Sequence, residues 1–243
     1  RHALRDGTAL PARERGLGNG LQVGAYRLGM ILGGGLLLWI FARTNWSVMF
    51  LWMAGLLVLA LIPVLQFPEP PRPPAQRRVR SAGLATAWLR RARQPAMLTL
   101  AGLIFCYRFG DQMVTSLLGP FLTDVGLYLE TIALMKGAVG SATSLVGAAL
   151  GGAFVFAVGR RRALLASGLA QAACFGLYIA AARGAGGAQL LWTATVLEGV
   201  IGTMATVALF TLMMDAADPE HAGTDYTLLA STVVLVGALA GFV

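Results

Sequence analysis

Seven stretches of this chain each run for about 20 residues or more with few polar side chains, the length a helix needs to cross a bilayer core. They are Leu17–Ala42, Val48–Phe67, Ala96–Phe121, Thr131–Val158, Ala163–Ala182, Leu190–Met214 and Tyr226–Val243. Inside lipid a backbone satisfies its own hydrogen bonds, so runs of this kind span as α-helices. Composition agrees: 57 % of residues are hydrophobic and 12 % charged, against roughly 25 % charged in soluble domains. The expected class is an all-α, polytopic membrane protein. Runs longer than the bilayer core imply tilt or extension beyond it. The chain opens on Arg1 in a polar stretch and stops at Val243 inside an apolar run. A longer parent protein is therefore expected, and no signal peptide is visible.

Orientation follows from where the positive charge sits. If residues 1–16 are cytoplasmic, alternation puts residues 68–95, 159–162 and 215–225 on the same side. Those loops hold Arg1, Arg5, Arg13, Arg15, Arg72, Arg77, Arg78, Arg80, Arg90, Arg91, Arg93, Arg160, Arg161 and Arg162, whereas the opposite loops hold Arg43 and Arg183. Every loop is in phase with the positive-inside rule. The net charge of +8 is then a topology signal, which argues against a nucleic-acid partner. The segment 68–95 begins Pro68-Glu69-Pro70-Pro71-Arg72-Pro73-Pro74, a run that blocks helix and favours extended polyproline geometry. Residues 81–93 are expected either as a short basic helix on the inner leaflet, with Trp88 at the interface, or as a solvated linker. In both cases the segment separates two spans from five.

An ionisable side chain inside a span is expensive unless it meets a partner or water, and so marks a candidate site. Five qualify: Arg27, Arg108, Asp111, Lys136 and Glu198. Their excess of one positive charge leans toward an anionic small-molecule solute. Arg108 and Asp111 are three residues apart, on one helix face, and can pair; Gly110 between them and Gly119-Pro120 beyond make that helix a candidate to bend. Glu198 has no basic residue within a helical turn. A carboxyl that takes up and releases a proton is what a proton-coupled carrier needs, and Glu198 is the first candidate for it, with Asp111 second. Lys136 either partners Glu198 across helices or snorkels outward. Arg27 either contacts the solute or anchors to carbonyls or lipid phosphate.

Other chemistries find little support. The two histidines, His2 and His221, lie in loops and form no metal-ligand cluster, and no nucleophilic triad is apparent. No enzyme activity, cofactor or metal is expected. Cys106 and Cys174 sit inside apolar runs and read as packing residues. Gly33-Gly34-Gly35 lacks the Lys-Ser/Thr of a phosphate loop. Gly33-Gly34-Gly35, and Gly147, Gly151 and Gly152, suit close helix–helix approach.

A long basic linker between two sets of helices is how a major-facilitator chain joins its two six-helix halves, with the solute site between them. Several strings resemble AmpG-type muropeptide permeases of that superfamily: Leu10-Pro11-Ala12-Arg13-Glu14-Arg15-Gly16, then Gly24-Ala25-Tyr26-Arg27-Leu28-Gly29-Met30, then Tyr107-Arg108-Phe109-Gly110-Asp111, and Leu197-Glu198. Ala163-Leu164-Leu165 and the stretch from Lys136 to Gly140 agree more loosely. The resemblance implies a major-facilitator fold of which this chain covers about helices 5 to 11 of 12. Residues 1–67 would end the N-terminal half, 68–95 would be the cytoplasmic linker, and 96–243 would belong to the C-terminal half. It further implies a monomeric proton symporter in the bacterial inner membrane that imports anhydro-muropeptides for peptidoglycan recycling. Tyr26, Arg27, Tyr107, Arg108, Asp111 and Lys136 would face the solute. The same broader family includes acetyl-CoA transporters, so another anionic solute is the alternative, and a transporter-like sensor or scaffold is a third reading. Two departures stand out: Gly199, where the family tends to carry Asn, and a glycine-rich stretch thinned to Gly202-Thr203-Met204-Ala205.

Overall fold

The computed structural model describes residues 15–32, 37–66, 89–90, 92–217 and 222–241, and its regular elements are helical. In chain order they are α1 (Arg15–Met30), α2 (Leu37–Arg43), α3 (Trp46–Gln66), α4 (Pro95–Asp124), α5 (Leu129–Ala133), a π-helical segment (Leu134–Val139), α6 (Gly140–Val158), α7 (Arg160–Ala182), α8 (Gly187–Ala216) and α9 (Ala222–Gly241). Among the described residues, five helices are long and apolar enough to cross a membrane: Trp46–Gln66, Glu130–Val158, Arg160–Ala182, Gly187–Ala216 and Gly223–Gly241. α4, at 30 residues, is as long as the longest of these but more polar, because Arg108, Asp111 and Gln112 interrupt it. The first expected span is described as α1 and α2, on either side of residues 33–36. The glycine run at 33–35 and most of the 68–95 linker, Trp88 included, lie outside the described residues.

Local sequence accounts for the breaks. Pro95 stands in the first turn of α4, where its missing N–H has no helical partner to lose. α6 and α7 are separated by Gly159 alone, at φ +83°, a left-handed conformation that glycine adopts without a Cβ clash. That sharp corner folds α7 back along the bundle and exposes three successive arginines at its start.

α8 is the centre of the bundle. It packs between α6 and α7, α1 lies along α6 and touches α8, and α9 pairs with α4. Lipid supplies little hydrophobic drive for helix association, so contact depends on close approach through small residues. Gly151 is one such residue: a Cβ there would sit 2.9 Å from Met204 Cα on α8. Gly20 on α1 is another, since its Cβ would sit 2.8 Å from the Ala148 carbonyl oxygen on α6. The expected packing role of Gly147, Gly151 and Gly152 is thus met on two faces of α6, toward α8 and toward α1. α4 is held differently, by long side chains. One apolar cluster joins Met97 and Ile104 to Leu164, Leu209 and Met213; a second joins Leu118 and Leu122 to Met135, Tyr178 and Leu191. α3 has no buried residue.

α4 continues as one helix through Gly110 and Gly119-Pro120, with Pro120 inside it. A departure from α-geometry lies at Leu134–Val139, the π-helical turns that carry Lys136. A π-bulge widens a helix by one residue and is frequent at functional sites.

Gly151→Ala and Gly176→Ala should differ in sign. The first forces a Cβ against α8 backbone and should lower the thermal midpoint of the purified protein, by the equivalent of about 1–3 kcal/mol. The second adds a Cβ where nothing lies within 4 Å and should leave the midpoint equal or slightly raised. Paired melting curves in detergent would check this.

Candidate functional site

Between the two apolar clusters that hold α4 lies a polar layer. Arg108 Nη1 donates to Asp111 Oδ2 at 2.5 Å, the i,i+3 pair expected from the spacing. The other carboxylate oxygen, Oδ1, accepts from Gln171 Nε2 on α7 at 2.5 Å. Gln171 Oε1 in turn accepts from the Tyr107 hydroxyl at 2.6 Å. The Tyr107 ring fits because Gly168, one turn before Gln171, has no side chain; a Cβ there would sit 3.3 Å from the ring. Hydrogen bonds between partly buried groups are stronger than in water, and an unmade one is correspondingly costly.

Glu198 on α8 is half-buried and makes no ion pair among the described residues. It is near enough to feel the charges of Asp111, Lys136 and Arg27. Lys136 Nζ donates to the Thr115 carbonyl of α4 at 3.3 Å, so it bridges the π-helical turns to α4. Arg27 on α1 acts electrostatically on both Asp111 and Glu198, and its Nε is buried without a hydrogen-bond partner among the described residues. The structure therefore brings Arg27, Tyr107, Arg108, Asp111, Lys136 and Glu198 into one neighbourhood formed by α1, α4, the π-helical segment and α8. Tyr26 is 66 % exposed and stands on a different face of α1 from Arg27.

A second polar group closes the arginine-rich end of the bundle. Asp215, near the end of α8, accepts from Arg15 Nη1 of α1 at 2.9 Å, and Arg160 Nε of α7 lies 2.5 Å from its other oxygen. A carboxylate at a helix C-terminus opposes the helix dipole, and the two guanidinium groups offset that. One turn deeper, Asn19 Nδ2 donates to the Val207 carbonyl at 2.9 Å and to Thr211 Oγ1 at 3.2 Å. α1 and α8 are thus tied at two successive turns.

Gln171, Asn19 and Asp215 were not singled out from the sequence. The first two carried a readable signal, being amides inside apolar runs, but amides are cheaper to bury than charges and fall below a search for ionisable groups. Arg15 and Arg160 were read as topology markers, and Asp215 drew no attention in the same loops. The family departure at position 199 has a physical reason here: a Cβ on Gly199 would lie 3.0 Å from Thr143 Cβ on α6, so a larger side chain has no room while Thr143 holds its place.

A bundle of long apolar helices with ionisable side chains gathered among them, and a polar closure at one end, is the architecture of a membrane carrier. The Major Facilitator Superfamily model matches residues 7–241, and the chain belongs to that superfamily. Among curated proteins it is similar to the anhydromuropeptide permease of Escherichia coli strain K12, at 32 % identity over 240 residues, 96 % of this chain and 49 % of that protein. It is also similar to "Putative transporter AmpG 4" of Rickettsia conorii, at 25 % identity over 217 residues, 85 % of this chain and 51 % of that protein. The resemblance carried by Tyr26-Arg27-Leu28-Gly29-Met30 and the Gly110-Asp111 string agrees with these names. The chain spans about half the length of these relatives.

Removing Asp215 leaves two arginines facing each other, whereas removing either arginine leaves one pair intact. Asp215→Ala should therefore lower the thermal midpoint most, then Arg15→Ala, with side chains 8 % and 20 % exposed. Arg160→Ala, 40 % exposed, should lower it least, because solvent screens that pair. Melting curves of the three variants test the ranking.

Proposed function

We propose that this chain is part of a proton-coupled importer of anhydro-muropeptides, in which the Arg108 neighbourhood receives an anionic group of the solute and Glu198 carries the proton. One observation supports this above others: cations from two elements, Arg27 and Lys136, act electrostatically on a carboxyl, Glu198, that makes no ion pair among the described residues, while Arg108 is paired with the nearby Asp111. An anionic solute and a proton can then each be taken where charge is uncompensated. The choice of muropeptide rests on similarity to a permease bearing that name in Escherichia coli.

On this reading α1 and α3 belong to one half of the carrier and α4 to α9 to the other, with the basic segment 68–95 joining them on the cytoplasmic side of a bacterial inner membrane. The contact of α1 with α6 and α8 is then the seam between halves. Arg15 and Asn19 of α1, bonded to Asp215, Val207 and Thr211 of α8, hold the cytoplasmic end shut, and inward release of solute requires those contacts to part. Rigid halves rocking about a central site need such a seam, tight enough to seal and polar enough to break.

Radiolabelled anhydro-muropeptide uptake into cells producing the full-length protein tests the reading. Glu198→Gln should abolish accumulation driven by a pH gradient while leaving exchange of internal for external solute within about threefold, since a permanently neutral side chain mimics the protonated carrier. Unchanged gradient-driven accumulation by Glu198→Gln would remove the proton role from this residue.

A further inference from the structure

Both oxygens of Asp111 are taken by protein donors, one by Arg108 and the other by Gln171. Arg108 is the less satisfied partner. Its guanidinium carries five N–H donors, and among the described residues one hydrogen bond is made, to Asp111. It is also the more exposed of the two, at 23 % against 14 %. Within the pair, therefore, the group with spare hydrogen-bonding capacity is Arg108, and Asp111 is the group that holds it.

Gln171 is what holds Asp111. It is 4 % exposed and is constrained from three sides. The Tyr107 hydroxyl donates to its carbonyl, Asp111 accepts from its amide, and Gly202 of α8 lies close behind, where an added Cβ would be 3.2 Å from Nε2. Each contact fixes the amide's orientation: its oxygen faces the phenol and its nitrogen faces the carboxylate. An ionised carboxylate can only accept, so the arrangement matches an Asp111 in charged form beside Arg108. The small residue at 202 is what gives the amide this place.

We propose that Gln171 is a positioning residue for solute recognition: it locks the Asp111 carboxylate so that Arg108 presents its remaining donors, as a preset fork, to a carboxylate or phosphate of the solute. The inference rests on the carrier reading above and deepens it. It assigns solute contact to Arg108, assigns Asp111 and Gln171 to holding that contact in place, and gives Asp111 no part in proton transfer.

Two measurements decide it. The first needs no solute. In the purified full-length protein, thermal midpoints of Gln171→Met, Asp111→Asn and the double variant form a cycle, and the double variant should melt close to the worse of the two singles. Midpoint shifts that simply add would show that the two side chains do not act as a unit and would overturn the proposal. The second is uptake of radiolabelled anhydro-muropeptide. Gln171→Met should raise KM about tenfold or more with maximal rate within about twofold, because a fork that must be reorganised weakens ground-state and transition-state contacts alike. In an Arg108→Gln background the same substitution should change KM by less than twofold, since the group it positions is gone. A tenfold effect that persists without Arg108, or a loss of maximal rate at unchanged KM, would overturn the positioning role. If the unsubstituted protein takes up no anhydro-muropeptide, the carrier reading for that solute fails, and the thermal cycle alone decides whether Gln171 and Asp111 act together.

Discussion

The structure depends on how closely α1, α6 and α8 approach one another. In water, burying leucine and phenylalanine would drive such helices together; in lipid, the tails are as apolar as the side chains. What remains is dense packing, and glycine permits it. α6 presents Gly147 and Gly151 to α8 and Gly152 to α1, so one helix seats two neighbours with different faces. Without that approach Asn19 could not reach the Val207 carbonyl, nor Arg15 reach Asp215. The polar contacts follow from the glycine contacts and are added to them.

α4 obeys a second logic. Its neighbours are reached through long side chains, in two apolar clusters with a polar layer between. In that layer Arg108 and Asp111 of α4 meet Gln171 of α7. The close packing around α6 and the looser setting of α4 give the bundle two kinds of contact, one built on glycine and one on long side chains. The π-helical turns at Leu134–Val139 join the two, since they continue directly into α6 and place Lys136 against α4.

Much of this was legible in the residues. Hydropathy located the helices because the period and length of apolar runs are fixed by the bilayer, and the Arg108–Asp111 pair followed from helical spacing. The family was legible in a handful of strings. What escaped has a common cause. Gln171 and Asn19 matter through partners 60 and 188 residues away in sequence, and no local pattern encodes those meetings. Gly110 and Gly119-Pro120 marked α4 as a candidate to bend, and the helix continues through them. The actual irregularity, at Lys136, has no proline and only Gly137 within it to announce it. Tyr26 entered through the family resemblance; it is 66 % exposed and lies about 100° round α1 from Arg27.

The central claim is that cations gathered among α1, α4 and the π-helical turns select an anionic solute. Competition in proteoliposomes holding the full-length protein tests it directly, with labelled anhydro-muropeptide as the transported solute. Two unlabelled competitors would be compared: the same muropeptide, and its derivative with every carboxylate converted to the primary amide. The account predicts that the acid competes at its own KM and that the amide, of nearly equal size and polarity, competes at least tenfold more weakly. Equal competition by the two would contradict it, because recognition would then rest on shape and sugar contacts, with the buried charges serving the protein alone.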